Sequence, residues 1–257
     1  MNASLLDLLG LTQLALWHGF AVFLRVGPMV ALLPAFGEQS VPVRVKLALS
    51  IAMVVIVAPA IATNPFAYGM DTLALLVMTE TLSGLILGIG LRLFVLALQT
   101  AGAIAAQSTS LSQLLGGAVS EPVPAMAHML VISALALAVM TGLHVKAAAL
   151  VILSYDLLPL GTFPDGATLS SWGVAQIVSA FALAFTLSAP FIILSTLYNL
   201  VLGAINKAMP QLMVAFVGAP LITAGGLVLL CLAAPMMLRV WLDALDNFLT
   251  APFAAQP

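Results

Sequence analysis

Few side chains in this sequence could do chemistry, and three of them stand where charge is costly. Glu80 lies well inside a long apolar stretch, Arg25 lies inside the first apolar stretch, and Arg92 falls near the end of the stretch that holds Glu80. A charge at the centre of a bilayer costs about 3 kcal/mol even on lenient insertion scales. Glu80 therefore either pairs with Arg25 or Arg92, or serves as a proton or ion site. A transporter usually shows more polar groups near the midplane, which weighs toward pairing. The other reactive types are scattered. His18, His128 and His144 are far apart, with no His/Cys/Asp spacing that suggests a metal. No phosphate loop and no nucleophile elbow occurs. Cys231 is the only cysteine and lies in an apolar run, where it reads as a small core hydrophobe rather than a disulfide partner. No catalytic activity and no cofactor are expected.

The elements that must position these groups follow from composition. Of 257 residues, 63% are hydrophobic and only 6% charged. A soluble chain of this length needs a charged skin, so these apolar residues face lipid or equally apolar protein. A formal net charge of −2 offers no basic field for nucleic acid. No Lys or Arg precedes Arg25, and the first apolar run is too long for a signal h-region, so it is expected to persist as a mature helix.

Six apolar blocks stand out, at about residues 8–33, 45–62, 72–98, 124–153, 172–202 and 212–238. One span needs about 20 residues, so the longer blocks allow seven or eight helices. The connections carry turn chemistry: Pro34 to Gly37, Asn64-Pro65, Gly116-Gly117, Pro159 to Gly166, and Asn206 to Gln211. Alternating the ends sorts Arg25, Arg44, Lys46, Arg92 and Lys207 to one side. The acids Asp7, Asp71, Asp156, Asp165, Asp243 and Asp246 go to the other, with Arg239 and Lys146. The bias of Lys and Arg toward the cytoplasm then places both termini outside. Pro59, Pro190, Pro220 and Pro235 fall within or at the edge of blocks, where buried neighbours must re-satisfy the backbone. Gly84 and Gly88 make a small-residue face for close helix contact.

Two further segments are unusual. From Gln99 to Gly117 the chain is small, polar-speckled and uncharged, suited to lining or plugging an aqueous path, or simply to joining two helices at the surface. Residues 236–249 are amphipathic, with Leu238, Trp241, Leu242, Leu245, Phe248 and Leu249 opposite Arg239, Asp243, Asp246 and Asn247. That face suits a membrane surface or a partner subunit.

At the first loop the chain resembles a known family. The residues are Arg25-Val-Gly-Pro28, then Leu33-Pro34-Ala-Phe36-Gly37, then Val41-Pro42-Val-Arg44-Val-Lys46 and a fresh apolar helix. They are similar to the FliR family of type III export-gate proteins, shared by flagella and injectisomes. Later landmarks keep the same order: the 99–107 stretch, Ser154-Tyr155 with Pro159, and Asn206-Lys-Ala-Met-Pro210-Gln211. The likeness covers nearly the whole chain.

The resemblance implies an all-α integral membrane subunit of six to eight helices with Pro-broken hairpins, packed in a hetero-oligomeric helical assembly. It implies FliP and FliQ partners, FlhA-like and FlhB-like export components, and unfolded flagellar subunits in transit through the bacterial inner membrane at the basal body. About residues 1–170 would be FliP-like and residues 171–257 FliQ-like. It also implies a plug loop at about residues 108–121, here built from Ser108, Ser110, Leu111, Gln113, Leu114, Leu115, Gly116 and Gly117, with leucines where many relatives carry aromatics. An injectisome homologue and an autonomous proton-coupled transporter are the alternatives.

Overall fold

The computed structural model describes residues 2–61, 70–110, 125–209 and 214–253. Among them are seven α-helices and no strand. They are α1 (Asn2–Leu32), α2 (Val43–Val57), α3 (Met70–Ser110), α4 (Ala125–Met140), α5 (Leu143–Leu157), α6 (Gly166–Ala208) and α7 (Val214–Thr250), with one 3-10 turn at Ala58–Ala60. In an apolar setting every backbone group must be satisfied within its own segment, which a helix does. Several hydroxyls follow the same rule: Thr79 donates to the Leu75 carbonyl, Thr186 to Ala182 and Thr196 to Ile192, one turn back.

The blocks become helices with shifted ends. The third does not stop near Leu98 but runs on through Ser110, giving a 41-residue helix about 60 Å long. The fourth splits at Gly142, whose φ of 82° ends α4, and α5 leaves at a 72° bend. Pro190, Pro220 and Pro235 lie within continuous helices, as does Pro28. Among the described residues five helices are long and apolar enough to cross a membrane, or six if the bent pair α4 and α5 counts as one span.

The long α3 is the axis of the packing, with α1, α4, α6 and α7 laid against it. Val22, Val26 and Met29 of α1, Leu87, Leu91 and Leu98 of α3, Phe191 of α6 and Trp241 of α7 form the core. The amphipathic stretch near the C-terminus takes neither of the two expected roles. Trp241, Leu245 and Phe248 are buried on the chain's own α3. Trp241 Nε1 donates to the Phe94 carbonyl at 2.8 Å, and Phe248 packs on Phe94 with ring centroids 5.4 Å apart. Cys231 is also misplaced by the sequence reading: it is exposed on α7, beside the outward Leu232, not in the core.

Much apolar surface stays uncovered. Val55 on α2, Phe181 and Phe185 on α6, and Leu232 and Met236 on α7 all point outward. Patches this extensive mark lipid or protein contact.

Candidate functional site: a buried ion-pair clamp

Arg25 sits two turns before the end of α1, and Glu80 sits three turns into α3. Gly84 allows them to meet. A Cβ on Gly84 would lie 2.1 Å from the Arg25 carbonyl oxygen, so only glycine lets the two backbones touch at this level. Gly88 continues the contact against Met29 and Leu32 one turn further along.

The pair that results is fully buried on both sides. Arg25 Nε donates to Glu80 Oε2 at 2.8 Å and Nη2 to Oε1 at 3.2 Å, the two-pronged geometry that a guanidinium fork favours. Arg25 Nη1 donates to Ser154 Oγ at 3.0 Å, and Nη2 also reaches the Leu158 carbonyl at 2.8 Å. The Tyr155 ring lies 3.6 Å from the guanidinium carbon. On the other side, the Gly161 amide donates to Glu80 Oε1 at 3.0 Å. Gly161 holds φ 74° in a tight turn in which Thr162 N–H returns to the Pro159 carbonyl. One ion pair thus binds α1, α3, the end of α5 and the following turn into a single unit.

This arrangement serves cohesion better than transport. Both carboxylate oxygens of Glu80 are engaged and the residue is sealed from solvent. A proton site needs a path, and here Glu80 has no exposed surface and the guanidinium is bonded to both of its oxygens. It also corrects the sorting of charges by helix ends. Arg25 is not a loop cation beside Arg44 and Lys46 but a buried group level with residues 154–161.

Arg92 goes elsewhere. It pairs with Glu38, which stands in the loop after α1. In that loop the Gly37 N–H bonds to the Leu33 carbonyl, Lys46 Nζ donates to the Gly37 carbonyl at 2.8 Å, and Ala35 holds a φ of 68°. Pro34, Phe36, Gly37, Val41 and Pro42 therefore form a shaped turn fastened to α3, while Arg44 is exposed on the first turn of α2. Sequence reasoning missed Glu38 as a partner, and missed Ser154 and Gly161 as ligands of the pair. It also missed the Lys146–Asp246 bridge, at 2.7 Å, between α5 and α7. None of these has a local signal, because each bridges residues far apart in the chain.

Of the stretch expected to plug a path, Ser108 and Ser110 are helical, at the end of α3. Gly102 lies against Ala127 of α4, and Thr109 against Gly226 of α7, so this end of α3 is wedged between two helices. Ser108 and Thr109 are buried and bond back to the Ala105 and Ala106 carbonyls. Leu111, Gln113, Leu114, Leu115, Gly116 and Gly117 lie outside the described residues, as does Pro210-Gln211.

Five or six helices long and apolar enough to cross a bilayer among the described residues mark a multi-pass membrane protein. Comparison gives the particular class: residues 16–248 match the family described as Bacterial export proteins, family 1, and the chain belongs to that family. It is 33% identical to the flagellar biosynthetic protein FliR of Caulobacter vibrioides over 86% of this chain and 90% of that one. It is 29% identical to the FliR of Escherichia coli over 85% and 84% of the two chains. The FliR of Aquifex aeolicus is 27% identical over 84% of each.

Proposed function

We propose that this chain is a pore-forming subunit of the flagellar type III export gate. In this reading it assembles with FliP and FliQ subunits in the inner membrane, at the base of the flagellum, and passes unfolded flagellar subunits out of the cytoplasm. The observation that carries the proposal is the family match over residues 16–248, joined to relatives named for flagellar biosynthesis across most of their length. The uncovered apolar faces of α2, α6 and α7 support an existence among other helices. FlhA-like and FlhB-like components would deliver cargo to it. Residues 108–121 would close the path, starting where α3 is wedged between α4 and α7. A FliP-like part at about 1–170 and a FliQ-like part beyond it are consistent with the turn at residues 158–165, which separates the clamped helices from α6.

The test is deletion of the gene with return of a tagged copy. Loss of motility and of flagellar subunits in the medium, both restored by the copy, is expected. Mild-detergent purification should then yield a large complex with one copy of this chain and several copies of two small apolar partners. A motile deletion strain, or a lone monomer across detergents, would overturn the reading.

A further inference from the structure

The recess between α3, α6 and α7 differs from the rest of the outer surface. It holds about 250 Å³ and is lined by Leu93 and Phe94 of α3, Gln176, Ser179 and Thr186 of α6, and Ala244 of α7. Gln176 is only 5% exposed, yet its side chain makes no hydrogen bond among the described residues. Its amide is not sealed inside the chain but keeps its small exposed surface at the recess, where a group from outside can reach it.

The chemistry of the recess selects its occupant. Among the described residues no charged side chain lines it, so a charged ligand would find no counter-ion there. An acyl chain has nothing to offer the amide. Gln176 presents one carbonyl and two N–H donors, and the Ser179 hydroxyl lies one turn further along the same helix. A neutral group that both donates and accepts complements that pair. The small Ser179 and Ala244 side chains leave room for a second backbone to come close. The rest of the lining is apolar, with Leu93 and Phe94 of α3 and Ala180 and Leu183 of α6. An apolar helix carrying one Ser, Thr, Asn or Gln satisfies every one of these conditions.

We infer that Gln176 and its recess receive a membrane helix of a neighbouring subunit, locked in register by a neutral side chain hydrogen-bonded to the Gln176 amide. The inference rests on the reading of the chain as one subunit of an assembly, and it names a contact within it.

The experiment places a photo-crosslinking amino acid at Ser179 in otherwise wild-type chain, in native membranes, and maps the product by mass spectrometry. The expected product joins Ser179 to a peptide from an apolar helix of another polypeptide, within one turn of a Ser, Thr, Asn or Gln. In a Gln176→Leu background its yield falls about fivefold, the equilibrium weight of one interhelical hydrogen bond in a membrane. Gln176→Asn keeps most of the yield. The amount of chain in the membrane is measured alongside and should stay constant, since Gln176→Leu removes an amide that bonds to nothing in its own chain. Products with lipid alone, no product, or a yield indifferent to Gln176→Leu would each overturn the inference. Motility is scored separately: a motile strain lacking the crosslink discards this contact, whereas only the deletion strain bears on export itself.

Discussion

Arg25 of α1 and Glu80 of α3, 55 residues apart in sequence, meet as an ion pair with no exposed surface on either side chain. The pair tolerates burial because nearly every lone pair and N–H around it is used, by Ser154, the Leu158 carbonyl and the Gly161 amide. Removing one partner strands the other in an apolar interior. Arg25→Ala and Glu80→Gln should each cost about 3–5 kcal/mol, read from the thermal aggregation midpoint in mild detergent. Arg25→Met with Glu80→Met should cost less than either alone, since no charge is left unpaired. A single variant costing below about 1 kcal/mol, the range of exposed pairs, would show that the clamp is not closed in solution.

Gly84 is the contact that brings the two helices close enough for that pair. A methyl group there would fall 2.1 Å from the Arg25 carbonyl oxygen, a backbone atom that cannot swing aside. Gly84→Ala should destabilise by about 1–3 kcal/mol and disturb the clamp with it. Gly203→Ala on α6 meets nothing within 4 Å and should be neutral or raise helix stability by up to about 1 kcal/mol. Equal midpoints for the two variants would contradict the close approach of α1 and α3.

In the loop after α1, Ala35 holds φ 68°, a conformation that a Cβ disfavours. Ala35→Gly should therefore raise stability by about 1 kcal/mol if the loop keeps its shape. The check is a chemical unfolding curve in detergent. A loss of stability would mean that the Ala35 side chain is required for a contact outside this chain.

Asp165 precedes α6 and caps it. Its carboxylate accepts from Thr168 N at 2.8 Å and from Thr168 Oγ1 at 2.7 Å. These bonds favour the charged form and hold its pKa below the usual 3.8. The cap's contribution is thus complete above that value and is lost as pH falls through the lower, folded-state value. Carboxyl carbon NMR should find the Asp165 midpoint below 3.8 in the folded chain. A midpoint at or above 3.8 would rule out the cap.

Shortening residues 108–117 should leave the complex assembled and make the membrane leaky to small solutes. Dye uptake in cells holding the intact complex is the measurement. Unchanged permeability would remove the plug role from this segment.

The legible and illegible parts of the sequence divide by range. The helices at Arg25, Glu80 and Gly84 were readable, because length and apolarity act locally and a 20-residue apolar run has few other ways to satisfy its backbone. The continuation of α3 through Gln99 to Ser110 was not readable, because Ser, Thr, Gln and Gly suit both loops and buried helices. Its state depends on Ala127 of α4 and Gly226 of α7, which lie opposite it.

By itself, then, the sequence marked an all-α membrane chain and the turns at Pro34 to Gly37 and Pro159 to Gly166, while the turn expected from Asn206 begins only after Ala208, where α6 ends. It left Glu80 either paired with a cation or serving as a proton site. Choosing between Arg25 and Arg92 lay beyond it, since both suit a carboxylate and only the fold sets the distances. Tertiary structure gave Arg25 to Glu80 and Arg92 to Glu38. It also turned the amphipathic face of Trp241 and Phe248 inward onto α3, where hydropathy alone could not distinguish lipid, partner and core. The reason is common to both cases. Apolar burial and charge pairing constrain what a residue must meet, while only the packing of helices far apart in sequence decides which residue it meets.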